Sequence, residues 1–432
     1  MSINTNPTQP SIVDDEISTL ERVEQLGGME KIKGYMKLQG PAWMSIALNI
    51  GGATVTSAVM LGAKTGYKFM WAIIPQVFVI WMAILLCDRI TLVTGKGTIE
   101  AVREYIGEWA AWLTGASVFI VNLIFDGIQF ALIGSICSSL FGGDGRIWAL
   151  TGLVFAAFIV FMPAKNSKVV NTIITAFLKY AVWLLVISFA LVLLFVPINW
   201  GELLVGFIPR IPESGEELVI FTGLLGSAIA INVPFLAAYS ARQRKWTSKH
   251  LGLTAFEVTF TNILLILVQW IVIIVCAATL FPKGIVPKNA IQASLALTPL
   301  AGKAATMLFG LGLLGAVFTT IVSQIMVSGY AVAGLMKWPT EDIKSAKFRL
   351  GQLIVVCFGA SVPLFGWNAF SVTVYGSSIN LSFMPIGLIF WWLIANKKDV
   401  MGQYVPGKWY NIGVLLSLIM ALVATINYWV HF

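Results

Sequence analysis

The chain has 432 residues, of which 58% are hydrophobic and 11% charged, and its mean hydropathy is +0.85. A soluble domain carries about 25% charged residues, so this composition excludes an ordinary soluble protein and indicates a polytopic helical membrane protein. The formal net charge of +8 lies mainly in short loops between apolar stretches, where lysine and arginine set orientation. We therefore expect a lipid bilayer, and no nucleic acid, as the partner of this charge.

The N-terminal segment differs from the rest of the chain. Residues 1–39 are polar and carry no signal peptide, so they are predicted to form a cytoplasmic tail. Residues 16–37 are predicted to form a short amphipathic helix at the membrane surface. Residues 40–432 are predicted to form one integral membrane domain.

Eleven apolar stretches follow, each long enough to cross a bilayer. They lie at residues 41–61, 69–93, 112–140, 147–163, 169–197, 218–239, 253–281, 303–335, 349–366, 370–395 and 410–431. With the N-terminus inside, most lysines and arginines fall in inner loops, which favours a multi-pass plasma-membrane protein with a cytoplasmic N-terminus.

Two of these stretches are interrupted. Gly51 and Gly52 weaken the helix in the middle of the first span, and Pro234 follows Asn232 within the sixth. Backbone groups freed in hydrocarbon are tolerated only where they line a cavity, and paired interruptions in two halves indicate a transporter's binding site. The pattern predicts an inverted repeat, with residues 40–197 as the first half, 218–395 as the second and 410–431 as an additional helix.

Three segments resemble a known family. GPAWMSIALNIGGATVTSAVMLGAKTGYKFMW (residues 40–71) resembles the first span of the NRAMP metal-ion transporters, and GLLGSAIAINVPFLAAYSA (223–241) resembles their sixth. FDGIQFALIGSICSSLFG (125–142) is similar to their third, acid-bearing span. The resemblance implies an all-α, LeuT-like 5+5 fold with discontinuous helices 1 and 6, and secondary active transport by alternating access.

The chain departs from this family at the positions that should bind metal. The family's Asp-Pro-Gly-Asn motif aligns with residues 51–54, and its Met-Pro-His motif aligns with residues 230–232. In the third span, Asp126 matches the nearer acid, while the second is replaced by Gln129. The resemblance therefore gives positions for a site without the family's metal ligands, and we expect no metal centre of the usual kind.

The interruptions leave a neutral set of candidate substrate-binding residues: Asn49, Gly51, Gly52, Thr54, Ser227, Ala230 and Asn232. Backbone N–H groups at the start of a half-helix favour an anionic oxygen, and two glycines should enlarge the cavity. The leading hypothesis is a small polar organic solute of the amino-acid or carboxylate type. Structural explanations remain open, because glycines also serve close packing and hydroxyls also bond their own helix.

Asp126 is a separate candidate, because an ionisable group within a span is expensive to bury. We expect it to couple proton movement to transport. The structural alternatives are a wet vestibule or a buried partner, for which Lys179 of the fifth span is a candidate.

Two other functions stay open. One is a weakly coupled or uncoupled carrier of largely hydrated Mg²⁺ or Mn²⁺, and the other is a non-transporting sensor or scaffold with an occluded cavity. Neither a catalytic constellation nor a phosphate-cradling loop is found in the sequence, so we expect no enzyme activity and no cofactor.

Overall fold

The computed structural model describes residues 12–38, 48–161, 180 and 183–431, and these residues form helices and no strands. The main helices, numbered along the chain, are α1 Ile12–Gln25, α2 Gly28–Leu38, α3 Gly52–Thr65, α4 Ile73–Thr94, α5 Thr98–Tyr105, α6 Glu108–Phe141, α7 Gly145–Phe161, α8 Trp183–Val192, α9 Trp200–Val205, α10 Gly215–Ala228, α11 Asn232–Gln243, α12 Leu251–Thr279, α13 Ala305–Leu335, α14 Ala346–Ser361, α15 Ala369–Asn380, α16 Met384–Ala395 and α17 Lys408–His431. One-turn helices lie at Ala290–Ser294, Thr298–Ala301 and Lys398–Met401.

The helices fall on the predicted spans. Eight helical segments are long and apolar enough to cross a membrane, and α7 and α8 are shorter apolar helices. α3 forms the second part of the first predicted span, whose residues 41–47 lie outside the described part of the chain. The first part of the fifth predicted span, including Lys179, also lies outside it. The predicted all-α, multi-pass architecture is confirmed.

Both predicted interruptions are present. Leu48 and Asn49 are helical, the backbone becomes extended at Gly51 (φ −88°, ψ −179°), and α3 starts at Gly52. In the other half, α10 ends at Ala228 and α11 begins at Asn232. Pro234 lies in the first turn of α11, where a missing N–H leaves no helical hydrogen bond unmade.

Glycines bring the bundle helices close together. The backbone of α3 at Gly62 is so near α12 that an added Cβ would lie 2.6 Å from the carbonyl oxygen of Ile273. On α10, a Cβ at Gly226 would overlap with the carbonyl of Ser377 in α15. The Gly-Leu-Leu-Gly start of the sixth span therefore has a packing role, because only hydrogen atoms fit at this contact.

Loops predicted for one side of the membrane meet each other in the structure. Arg242, after the sixth span, pairs with Glu100 between the second and third spans and with Glu341 after the eighth. On the opposite end of the bundle, Lys64 pairs with Glu216 and Lys68 with Glu217 at 3.0 Å.

The N-terminal segment differs from the prediction. It forms two helices instead of one, separated by residues 26–27, and α2 begins at Gly28, whose positive φ of +53° suits glycine. Leu20 and Tyr35 are buried with Trp246 and Leu253. The apolar face of the tail therefore packs on the protein and not only on the membrane surface, because a suitable apolar surface is provided by the chain itself.

Candidate functional site

A small cavity of about 10 Å³ lies where the two interruptions meet α6 and α13. It is lined by Leu48, Ala53, Phe125, Gln129, Ser227, Ala230, Asn232, Val233, Thr320 and Gln324. A volume of this size holds about one water-sized sphere. In this closed arrangement the cavity matches a single ion or water molecule, and a larger solute requires the helices to separate.

Three buried carboxamides converge on the cavity from three different helices. Gln129, Gln324 and Asn232 are at most 1% exposed. The amide oxygen of each has no hydrogen-bond partner among the described residues, and the same holds for the amide nitrogens of both glutamines. An unpaired buried polar group lowers stability by about 1–3 kcal/mol. Such a concentration of unpaired atoms is typical of a place where a ligand or water completes the bonding.

Asn122 on α6 orients one of these groups. Its Oδ1 accepts a hydrogen bond of 3.3 Å from Nδ2 of Asn232, and its own Nδ2 donates to the carbonyl of Gln324 at 3.0 Å and to Oγ of Ser328 at 2.6 Å. Because the amide nitrogen of Asn232 is engaged by Asn122, its Oδ1 is the atom left for the cavity. This network joins α6, α11 and α13 around the site.

Helix ends contribute backbone dipoles to the same region. Neither α3 nor α11 has a side-chain hydrogen bond at its start. In α11 the N–H of Val233 already donates to the carbonyl of Ala230 at 3.1 Å, so the first turn of α3 is the better source of N–H groups for a ligand or water. The end of α10 lies beside them, and its last carbonyls carry the negative end of a helix dipole. The site thus offers both hydrogen-bond donors and oxygen ligands from neutral groups.

The predicted substrate residues divide between the cavity and its surroundings. Ser227, Ala230 and Asn232 line it. The hydroxyl of Ser227 donates to the carbonyl of Leu224 in its own helix at 2.7 Å, so its proton is not available to a ligand. Asn49 is buried beside the interruption, and its Oδ1 has no described hydrogen-bond partner.

Gly51 and Gly52 lie behind the cavity wall, and Thr54 connects the two interruptions. An added Cβ at Gly52 would be 2.7 Å from Oε1 of Gln129, and one at Gly51 would overlap with Oγ1 of Thr320. The absence of these side chains therefore admits Gln129 and Thr320 instead of enlarging the cavity. The hydroxyl of Thr54 donates to the carbonyl of Ser227 at 3.1 Å.

Asp126 lies one helical turn before Gln129 on α6 and does not line the cavity. It is fully buried, and neither carboxylate oxygen has a described hydrogen-bond partner. Its Oδ2 faces Gly359 of α14, where an added Cβ would overlap with it. Its predicted partner Lys179 lies outside the residues that the structure describes.

Comparison with known proteins identifies the family. A family model described as natural resistance-associated macrophage protein-like, Nramp, matches residues 42–431. The chain belongs to the Nramp family. The divalent metal cation transporter MntH of Vibrio campbellii is 23% identical to this Nramp chain over an alignment of 411 residues, and the match covers 93% of this chain and 94% of that protein.

Solved structures give the same fold. The Eremococcus coleocola manganese transporter, in complex with an aromatic bis-isothiourea substituted compound, has a TM-score of 0.72 and 12% identity, and the match covers 93% of the Nramp chain and 89% of that structure. Mhp1, a nucleobase-cation-symport-1 family transporter, matches with a TM-score of 0.55 and 13% identity over 90% of this chain and 91% of its own. These likenesses confirm the LeuT-like transporter fold.

The cavity of this Nramp chain offers other ligands than a metal site built from carboxylates or thiolates does. Among the described residues, no group of three or more His, Cys, Asp or Glu side chains could hold a metal ion together. The described residues that line the cavity also carry no carboxylate, imidazole or sulfur. A cation bound there would meet amide, hydroxyl and carbonyl oxygens, which are hard ligands.

Sequence reasoning missed part of this site. Gln129 was identified as the replacement of an acid but not as a substrate residue, and Gln324, Thr320 and Asn122 were not identified at all. The available signal was the rarity of carboxamides in the middle of apolar spans. That signal does not show which face of a helix points to the cavity, so it could not separate Gln324 from other buried amides.

Proposed function

We propose that this Nramp-family chain is a secondary active transporter that carries a divalent cation, Mn²⁺ in preference to Mg²⁺, through the cavity between the two interrupted helices. The observation that carries the proposal is the convergence of unpaired amide oxygens from Gln129, Gln324 and Asn232 on a space of about 10 Å³. A cation is small enough for this space, and an amino acid is not. The name of the Vibrio relative, a divalent metal cation transporter, supports the same substrate class.

The preference within that class follows from hydration. The closed cavity has no room for a hydration shell, so a bound ion exchanges most of its water for protein oxygens. Mg²⁺ gives up water reluctantly, and neutral oxygens compensate poorly for that loss. We therefore expect weak binding overall, with Mn²⁺ ahead of Mg²⁺, and less hydration than the sequence alone predicted for a cation carrier.

Proton coupling through Asp126 belongs to the same proposal. The buried carboxyl of Asp126 lies one helical turn from Gln129. A cation bound at Gln129 and an ionised Asp126 attract each other, and this attraction is stronger in a poorly hydrated interior than in water. A cation in the cavity and an ionised Asp126 should therefore stabilise each other, and protonation of Asp126 should weaken cation binding. This linkage supplies a route by which a proton gradient acts on transport.

A small polar organic solute remains the second candidate. The observation that favours it is the presence of two amide N–H donors without partners, Nε2 of Gln129 and Nε2 of Gln324. A carboxylate accepts hydrogen bonds from such donors, whereas a metal cation does not. This function requires a wider cavity than the closed arrangement provides.

Orientation is proposed from the charges. The chain is proposed to span the plasma membrane, with the face that carries Lys96, Arg242 and Lys249 toward the cytoplasm. The N-terminal tail lies on the same side. The contact between Lys249 and Glu21 of the tail at 2.9 Å supports a common side. Labelling of a cysteine introduced in the tail with an impermeant reagent, in intact and opened cells, tests this placement.

Thermal unfolding of the purified protein tests the substrate class, since a ligand that binds the folded state raises its stability. The panel contains MnCl₂, MgCl₂, CaCl₂, amino acids and small carboxylates. We expect a rise in Tm with Mn²⁺ that is lost in Gln324→Leu and Gln129→Leu. Gln352→Leu is the matched control, because Gln352 is a buried amide that does not line the cavity.

The other outcomes are decisive too. Stabilisation by organic solutes alone would replace the cation with the second candidate. If no compound raises Tm and proteoliposomes take up no Mn²⁺, the chain is a non-transporting sensor or scaffold, and the proposal is overturned.

A further inference from the structure

A second, larger cavity lies away from the transport site. It is a groove of about 560 Å³ between α4, α10 and the last helix, α17, and its walls are mostly apolar. On α17, Val423, Ile426 and Val430 line the groove and are 58–69% exposed. Because α4 and α17 are membrane-spanning helices, the groove opens toward the acyl chains of the bilayer.

Two polar atoms in the groove wall lack partners. Gln76 is fully buried and lines the groove, and its Oε1 has no hydrogen-bond partner among the described residues. The indole N–H of Trp71, which also lines it, is buried and equally unpaired. An acceptor and a donor left unpaired inside an otherwise apolar groove are expected where a molecule with a polar portion binds.

A free positive charge marks one end of the groove. Arg210 is exposed, lines the groove and has no acidic side chain within ion-pair distance in the described part of the chain. Its nearest acidic neighbours in sequence, Glu213 and Glu216, pair with Lys68 and Lys64 instead. The guanidinium is therefore available to an external anion.

We propose that this groove binds a phospholipid with a net negative headgroup. An acyl chain lies along the apolar wall of α17, and the phosphate accepts hydrogen bonds from Arg210. An ester carbonyl accepts a hydrogen bond from the indole N–H of Trp71, and a water molecule donates both to that ester and to Oε1 of Gln76. An apolar groove that opens toward lipid and has the guanidinium of Arg210 at its end matches this chemistry better than a soluble metabolite does, since such a metabolite would leave most of the apolar wall uncovered.

The bound lipid contacts the interrupted helix. Leu225 and Ile229, at the end of α10, form part of the groove wall. Nε2 of Gln76 donates to the carbonyl of Leu224 at 2.5 Å, in the same turn. A lipid in the groove braces the end of α10 against α4 and α17, and so acts on the element that must move when the central cavity opens. This inference does not depend on the transported substrate.

Purified protein in a neutral detergent, titrated with phosphatidylglycerol or phosphatidylcholine, tests the proposal through Tm and through lipid adducts in native mass spectrometry. We expect phosphatidylglycerol to bind more tightly and to raise Tm more. Arg210→Gln should weaken phosphatidylglycerol binding about tenfold, the loss of roughly one charge-assisted hydrogen bond, and should abolish the preference. Ala424→Trp, which fills the groove, should reduce binding of both lipids.

Lys303→Gln is the matched control, because Lys303 is an exposed cation that does not line the groove. It should retain the full preference. An unchanged preference in Arg210→Gln would overturn the proposal, and that exposed substitution keeps the test valid even if Ala424→Trp fails to fold. Equal stabilisation by glycerol 1-phosphate, which lacks acyl chains, would also overturn it and reveal a small-anion site.

Discussion

The hydroxyl of Thr54 donates a hydrogen bond to the carbonyl oxygen of Ser227 across 173 positions of sequence. Thr54 lies in the first turn of α3, and Ser227 lies in the last turn of α10. The bond therefore joins the two interrupted helices directly beside the central cavity. The two interruptions are therefore held together by a direct hydrogen bond.

Replacement of Thr54 by valine should remove this hydrogen bond with little change in side-chain volume. We expect a loss of about 1–2 kcal/mol in the free energy of unfolding, since the buried carbonyl of Ser227 loses its donor, and a lower Tm. The control is Thr65→Val, which removes a bond of 2.9 Å to Leu61 within a single helix. If both variants also bind Mn²⁺ equally well, the bond between the helices has no role in shaping the cavity.

The contact of Gly51 with Thr320 can be tested by paired substitutions. Gly51→Ala places a Cβ on Oγ1 of Thr320 and should destabilise the protein by about 1–3 kcal/mol through overpacking. Thr320→Ala removes that oxygen, so the double variant should be more stable than Gly51→Ala alone. A double-mutant cycle of thermal or denaturant unfolding measures this coupling, and strictly additive effects would show that the two positions do not touch.

The interruptions themselves were predictable because they are local properties of the chain. Adjacent glycines at 51 and 52 lower the helix propensity of the first span. In the sixth span, residues 229–231 separate α10 from α11, and Pro234 follows in the first turn of α11. The length of the apolar stretches was sufficient to predict the spans. Both signals are strong in a membrane protein, since a helix break at membrane depth is tolerated only where protein or a polar cavity surrounds the freed backbone groups.

The contents of the cavity were not predictable in the same way. Nδ2 of Asn122 bonds the carbonyl of Gln324 across 202 positions, and no local pattern indicates such a pairing. The room left by Gly52 is filled by Val317 from α13 and Gln129 from α6, whereas sequence reasoning assigned it to substrate. Which side chain occupies a gap depends on the rotation of distant helices about their axes, and a nearly uniform apolar sequence provides little information on that rotation.

Arg242 should hold α11 in place at the end of the bundle opposite the Lys64–Glu216 and Lys68–Glu217 ion pairs. It pairs with Glu100 and Glu341 and donates to Oγ1 of Thr340 at 2.8 Å, while Tyr239 on the same helix donates to Glu100. Arg242→Gln should release α11 and increase hydrogen exchange of its backbone amides by about tenfold or more. Opening of the central site toward this face requires α11 to move, so uptake should change as well.

The control for Arg242→Gln is Lys249→Gln, which removes an exposed ion pair with Glu21 and should leave exchange in α11 unchanged, because exposed pairs contribute little. Hydrogen exchange measured by mass spectrometry follows α11 separately from the short helix that carries Lys249. Equal protection of α11 in Arg242→Gln and in the unmodified protein would show that packing alone keeps this face closed.

Asp126→Asn should remove the pH dependence of cation binding while preserving the fold, because the two side chains have nearly the same shape. In the unmodified protein, Mn²⁺ binding should strengthen as pH rises, since an ionised carboxylate near the cavity attracts the cation and a protonated one does not. The variant should bind weakly at every pH, by about tenfold or more. Asp88→Asn is the matched control, because Asp88 is a buried acid in α4 that does not line the cavity. Calorimetric titration with Mn²⁺ between pH 5.5 and about pH 8 measures both, and a pH response lost in Asp88→Asn but kept in Asp126→Asn would assign proton coupling to Asp88 instead.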